Sequence, residues 1–335
     1  QQSQGLALTD SFVGQWMGYA TAAFLIGAAF GGVLFGWLGD KIGRVKAMAA
    51  SILVYSVFTG LIYFATQPWH LAACRFVGAL GMGGEWSLGV ALVMEVWPEK
   101  HRPLMAGIIG AAANVGFAFI GILAIFFSVT VDSWRWVALV GAAPAVLTFF
   151  IRLFVPESEK WHAAVQNSPT KIRPLSEIFG PSLWKKTLIA TALSSVALIG
   201  TWGSVQWLPV WADQMAGAGN PSAKGYTGML SGFCAITGCL LGAYIGRFIT
   251  RRVAYFLLCT GSLLLCGILF RTVDSYGPVF LTLTFMVGGL TAAFYGWLPL
   301  YLPELFPTRV RATGQGLSFN AGRILAAAGA VYGGQ

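Results

Sequence analysis

Long apolar runs alternate with short polar breaks along this chain. A helix that crosses hydrocarbon needs about 20 mostly apolar residues. Ten runs meet that measure: 14–38, 47–66, 71–96, 104–128, 136–155, 187–212, 226–249, 253–270, 277–300 and 313–334. The pattern predicts an all-α membrane protein with about ten transmembrane helices. The longest polar stretch is 157–186, which opens with Glu157-Ser158-Glu159-Lys160-Trp161 and carries Pro181 near its end. It falls near the middle. The expected layout is therefore an N-terminal helical bundle over 1–156, a linker over 157–186 and a C-terminal helical bundle over 187–335.

Composition agrees with the pattern. Charged residues make up 10% of the chain and mean hydropathy is +0.71, whereas soluble domains carry roughly 25% charge. The net charge of +9 raises the question of nucleic acid, but the cations lie in short loops between spans. Sixteen of the 21 lysines and arginines fall on one side of the predicted membrane, three on the other and two, Arg75 and Arg323, inside spans. The cation-rich side is the cytoplasmic one. Linker and first loop are thus expected in the cytosol, with the chain in the inner (plasma) membrane of a bacterium. Cys74, Cys234, Cys239, Cys259 and Cys266 all sit in apolar runs without metal or redox spacing, so they read as packing residues.

The first loop is the most specific stretch. Gly36-Trp37-Leu38-Gly39-Asp40-Lys41-Ile42-Gly43-Arg44-Val45-Lys46 places four charges at the junction of two spans. Hydrocarbon does not hold such a cluster, so it marks a water-side hairpin. Gly36 and Gly43 allow helix ends to approach closely, and Asp40 can accept bonds from helix N-terminal N–H groups or an arginine. The spacing G-x-x-x-D-[RK]-x-G-R-x-[RK] resembles the signature loop between the second and third helices of the major facilitator superfamily of transporters. The resemblance implies two six-helix bundles related by pseudo-symmetry, in which the ten spans are helices two to eleven of twelve, with helices one and twelve missing. Pro156-Glu157-Ser158 resembles the end of the sixth helix in sugar-porter-like members.

An internal repeat supports two halves. Glu95, Pro98 and Arg102 read E-x-x-P-x-x-x-R, and Glu304, Pro307 and Arg311, with Arg309 between, read the same way. The second copy of the signature loop is degraded: Gly242, Arg247, Arg251 and Arg252 remain, but Gly246 stands in place of the aspartate. By resemblance, Gly36, Asp40, Lys41, Gly43, Arg44, Glu95 and Arg102, mirrored by Glu304, Arg309 and Arg311, form a cytoplasmic charge latch. Helix-end capping is the alternative role.

Charges inside spans are costly and point to function. Arg75 opens the fourth helix, and Glu85 lies ten residues on, about 15 Å along it. In the family the matching arginine faces the central cavity and pairs with an acid on helix one, which marks Arg75 as an expected proton-coupling residue; Glu85 joins it because a membrane-embedded carboxylate can titrate near neutral pH when desolvated. Gly83-Gly84-Glu85-Trp86 resembles the branch that carries organic acids and related metabolites with protons. Arg323, three residues after Asn320, is the expected site for an anionic substrate, since a guanidinium binds a carboxylate in a forked way. Trp202, Gln206 and Trp207 near Pro209, Tyr295 near Pro299, and Asn114 complete the expected substrate set; Trp202 and Gln206, four apart, are read as sharing a helix face. Each has a structural alternative as an interfacial or packing residue. The fifth helix lacks the glycine–proline pair of the family's drug antiporters.

No nucleophile elbow, H-E-x-x-H or P-loop occurs, and His70, His101 and His162 lie at span ends. The chain is read as no enzyme, without cofactor or metal, not a nucleic-acid binder, monomeric, and acting on a small molecule and protons in a lipid bilayer. The expected function is proton-coupled uptake of a small organic acid or related metabolite by alternating access. A sugar or polyol symporter or facilitator of the same fold is the second reading, and a ligand sensor that does not transport is the third.

Overall fold

The computed structural model describes residues 10–126, 134–168, 172–220 and 222–333. Residues 169–171 of the expected linker, Lys171 among them, lie outside that set. The described chain is helical, and no strand occurs among the described residues. The helices are α1 (Asp10–Ile42), α2 (Arg44–Leu61), α3 (Pro68–Val96), α4 (Arg102–Phe126), α5 (Trp134–Ala142), α6 (Ala145–Phe154), α7 (Glu159–Gln166), α8 (Pro174–Ile178), α9 (Trp184–Gly203), α10 (Leu208–Ala216), α11 (Ala223–Phe248), α12 (Arg251–Thr272), α13 (Pro278–Leu305), α14 (Arg311–Asn320) and α15 (Gly322–Gly333).

Eight helical segments among the described residues are long and apolar enough to span a bilayer, with α9 and α10 together counting as one. The two other expected spans are broken helices. The segment 136–155 divides between α5 and α6 at Ala143-Pro144, where proline has no N–H to continue the ladder. The segment 313–334 divides between α14 and α15 at Ala321. The linker is largely helical, as α7 and α8. Ser158 starts α7 by accepting a hydrogen bond from the Trp161 N–H at 3.1 Å. Large apolar side chains such as Phe30, Phe256, Leu263 and Leu264 stand more than half exposed on the spanning helices, and such faces require hydrocarbon.

The chain gathers into two compact units, each drawing on segments from before and after the linker. The first comprises residues 1–96, 130–199 and 303–335. Here α1 and α3 pack backbone to backbone: a side chain at Gly83 would collide with the Ala28 carbonyl, and one at Gly31 with Leu80. Small residues at such crossings are how helices associate in lipid. The second unit comprises 97–129 and 200–302. Its α4 crosses α13 at Gly110, where a Cβ would stand 2.6 Å from the Tyr295 carbonyl carbon. Its core includes Leu208, Ala212, Leu269, Phe280 and Val287.

Candidate functional site

The signature loop turns at Gly43, whose φ of 109° lies in the region that side chains disfavour. The turn ends α1 and starts α2. The helix start has no cap from its own loop. Glu157 supplies it from the linker: Oε1 accepts the Arg44 N–H at 2.8 Å and Oε2 the Val45 N–H at 3.1 Å. A carboxylate there satisfies two orphan donors and faces the positive end of the helix dipole. Its Oε2 occupies the space a Cβ on Gly43 would fill.

Arg44 is wholly buried, so each of its donors needs a partner. Nη1 donates to Asp40 Oδ1 at 2.7 Å and to the Gly39 carbonyl at 2.8 Å. Nη2 donates to Glu95 Oε1 at 3.1 Å and to the Thr308 carbonyl at 2.6 Å, and Nε to Glu95 Oε2 at 3.4 Å. The Trp161 ring lies 5.6 Å from the guanidinium carbon, and its Nε1 donates to the Asp40 carbonyl at 3.2 Å. Asp40 in turn caps α14: it accepts the Ala312 N–H at 3.2 Å, the Thr313 N–H at 2.8 Å and the Thr313 hydroxyl at 2.5 Å. Arg311 closes the group, donating to Glu95 Oε1 at 3.1 Å and to the Pro303 carbonyl at 3.2 Å. Two carboxylates and two guanidiniums thus neutralise one another in a buried cluster of the first unit.

Not every expected latch residue joins this cluster. Arg102 pairs with Glu99 at 2.9 Å at an exposed position of the second unit. Arg309 donates to Glu177 of α8 at 2.7 Å, which raises its already high pKa. Arg311 reaches Glu95 of the first repeat rather than completing a second copy. Lys41 is exposed and lies 4.4 Å from the Trp37 ring centroid. Glu304 is exposed. Glu157 and Trp161 were absent from the expected set; their signal was the Pro156-Glu157-Ser158 stretch, which sequence reading used only to mark a helix end.

On α3, the Arg75 guanidinium lies 5.6 Å from the Phe24 ring centroid of α1. No carboxylate pairs with it among the described residues. Two turns and more beyond, Glu85 is half-buried on the same helix. The next residue, Trp86, stacks on Phe319 of α14, ring centroids 3.6 Å apart and planes 10° from parallel. Arg323, 9% exposed, places its guanidinium carbon 5.9 Å from the Phe319 ring centroid. Asn320 and Arg323 stand on either side of the α14–α15 junction. Asn320 Nδ2 donates to the Gly83 and Gly316 carbonyls at 3.2 and 3.0 Å, while Oδ1 is buried without a partner among the described residues. Phe319 is absent from the expected set; it lies four residues before Arg323, across the α14–α15 junction.

In the second unit, the Tyr295 hydroxyl hydrogen-bonds to Thr201 Oγ1 at 2.8 Å. Asn114 Nδ2 donates to the Gly110 carbonyl at 3.1 Å and contacts Cys239 Sγ at 3.5 Å. Trp202 and Gln206 do not share a helical face as expected. The helix ends at Gly203, Ser204 leaves the helical region with φ −132° and ψ −71°, and Gln206 follows in a separate turn. Trp207 Nε1 donates to the Trp202 carbonyl across this break at 3.1 Å. The break precedes Pro209, which sits in the first turn of α10, where its missing N–H costs nothing.

A family model described as Major Facilitator Superfamily matches residues 4–330. A putative metabolite transport protein of Haemophilus influenzae is 31% identical, over 92% of this chain and 76% of its own. A cis,cis-muconate transport protein of Acinetobacter baylyi is 27% identical, over 90% of this chain and 74% of its own. Among solved structures, a proton:xylose symporter superposes with a TM-score of 0.75 at 17% identity, over 97% of this chain and 79% of that one. With the model running over nearly the whole chain, and its relatives transporters rather than enzymes, this integral membrane protein belongs to the major facilitator superfamily.

Proposed function

We propose that the protein imports a small organic acid together with protons by alternating access. The observation that carries this reading is Arg323: a nearly buried guanidinium beside an aromatic stack, in a membrane segment where an unneeded charge is costly. Arg323 binds the substrate carboxylate, and Asn320 Oδ1 accepts a hydroxyl or acid proton. The muconate transporter among the relatives supports the acid class. Glu85 carries the proton, and Arg75 sets its electrostatic surroundings along α3. For the second unit, Tyr295 and Asn114 are the proposed polar contacts, with Trp202, Gln206 and Trp207 at the helix break. Residues 1–156 and 187–335 act as the two moving bundles, and the linker 157–186 faces the cytosol. The contact of Asp40 with Thr313 is then one that must break when the cytoplasmic side opens.

The test is transport in proteoliposomes holding the full chain. Radiolabelled dicarboxylates and monocarboxylates are offered with and without an inward proton gradient. The expected result is acid accumulation driven by the gradient. Arg323→Gln abolishes uptake of every carried acid, whereas Glu85→Gln abolishes accumulation but spares equilibrium exchange, which moves no net proton. Unchanged acid uptake in Arg323→Gln sinks the reading. A second reading, a sugar or polyol symporter, draws on the hydroxyl and amide groups of Tyr295, Thr201 and Asn114; sugar uptake alone would select it.

A further inference from the structure

One cleft of the first unit lies outside the buried charge cluster and the proposed transport site, though the expected latch residue Lys41 lines it. It encloses about 360 Å³ where the water-side end of α1 meets the start of α8, and it is lined by Trp37, Lys41, Ile172, Arg173, Leu175 and Ser176. Lys41 and Arg173 are both exposed, and neither pairs with an acid among the described residues. The nearby acids are already committed. Asp40 is buried against Arg44 and Thr313, and Glu177 is held by Arg309. The cleft therefore presents two unneutralised cations.

Its remaining walls are unlike those of a site for a bare ion. Trp37, Ile172 and Leu175 are apolar, and Leu175 is 40% exposed. Trp37 lies five residues before the end of a spanning helix, about 8 Å from it, and tryptophans near span ends favour the headgroup layer. The Lys41 ammonium lies 4.4 Å from the Trp37 ring centroid, so cation and aromatic face stand together in one wall of the cleft. Ser176 adds a hydroxyl donor. A ligand that fits all of these walls has an anionic phosphate, a short polar spacer and an apolar body.

We infer that this cleft binds the headgroup of an anionic phospholipid, with the phosphate between Lys41 and Arg173 and the glycerol and upper acyl carbons on Trp37, Ile172 and Leu175. One face of the cleft is signature-loop residue Lys41 and the other is the linker, so the lipid clips the linker to the first hairpin. The inference does not depend on the substrate.

The test is native mass spectrometry of the full chain in mild detergent, titrated with phosphatidylglycerol, phosphatidylethanolamine, glycerol phosphate or inorganic phosphate. Phosphatidylglycerol should bind most tightly. Lys41→Gln/Arg173→Gln should weaken it about thirtyfold, the effect of two surface cations, while Lys41→Arg/Arg173→Lys retains it. Lys185→Gln/Lys186→Gln removes the same charge from exposed positions outside the cleft and should change binding less than twofold. Thermal unfolding checks that the variants remain folded. Equal weakening in both glutamine pairs, or no preference for phosphatidylglycerol, overturns the inference. Displacement of the lipid by equimolar inorganic phosphate overturns it in favour of a soluble anion.

Discussion

The two copies of the signature hairpin solve the same problem in different ways. In each, an arginine just inside the second helix donates to a glycine carbonyl five residues back: Arg44 to Gly39, and Arg251 to Gly246. That bond is local and survives in both. The helix start is where they part. In the second hairpin, Thr250 caps α12 itself, accepting the Val253 N–H at 3.4 Å. In the first, Gly43 carries no side chain, and the cap comes from Glu157, over a hundred residues away. The first hairpin also holds Asp40, which ties it to α14, while the second has no acid in the corresponding loop. The start of α12 is capped by its own loop, whereas the start of α2 is capped only when the linker is docked on it. The asymmetry teaches that a signature motif is less a stable turn than a receptacle for distant segments.

The comparison can be broken by substitution, with thermal unfolding of the purified protein as the common measurement. Arg44→Gln should have the largest effect, because it removes the guanidinium that the buried carboxylates of Asp40 and Glu95 share; the expected loss is about 3–5 kcal/mol. Gly43→Ala should follow at about 2 kcal/mol, since the new methyl meets the Glu157 carboxylate and forces a disfavoured φ. Glu157→Gln keeps a neutral acceptor but removes the charge from the α2 terminus, and should cost about 1 kcal/mol. Thr250→Ala should be mildest, near 0.5 kcal/mol, because its 3.4 Å cap bond is long. A Thr250→Ala effect as large as that of Arg44→Gln would show that both hairpins bear comparable strain and would end the contrast. A double variant, Arg44→Gln with Glu157→Gln, sharpens it: the shared docking predicts a combined loss smaller than the sum of the two.

The candidate site was only partly legible in the sequence. Asp40, Arg44, Glu95 and Arg311 were all named from motif and repeat, and they meet in one buried cluster. Arg102 and Arg309 were named by the same repeat, yet they pair with Glu99 and Glu177. Repeat symmetry predicts equivalent positions, but an exposed arginine pairs with whichever acid is nearest. Trp202 and Gln206 failed differently: helical spacing assumes an unbroken helix, and Ser204 interrupts it. Phe319 was overlooked because an aromatic residue in a membrane helix is ordinary; only its stacking on Trp86 sets it apart.

Sequence alone determined the class of molecule, its family and eight of the ten expected spanning segments. The bilayer imposes a length and an apolar composition on each helix, and that requirement is written in consecutive residues. It also singled out Arg75, Glu85 and Arg323, because a charge in hydrocarbon demands an explanation wherever it occurs, and Arg44, because it stands in a specific charged loop motif. Only the tertiary structure decided what answers each demand. Glu157 on the Arg44 N–H, Asp40 on the first turn of α14 and Phe319 on Trp86 are contacts across 113, 273 and more than 200 residues. Nothing local specifies such partners. They follow from which helices pack together, and that is set by summed contacts along whole helices rather than by the residues that finally meet.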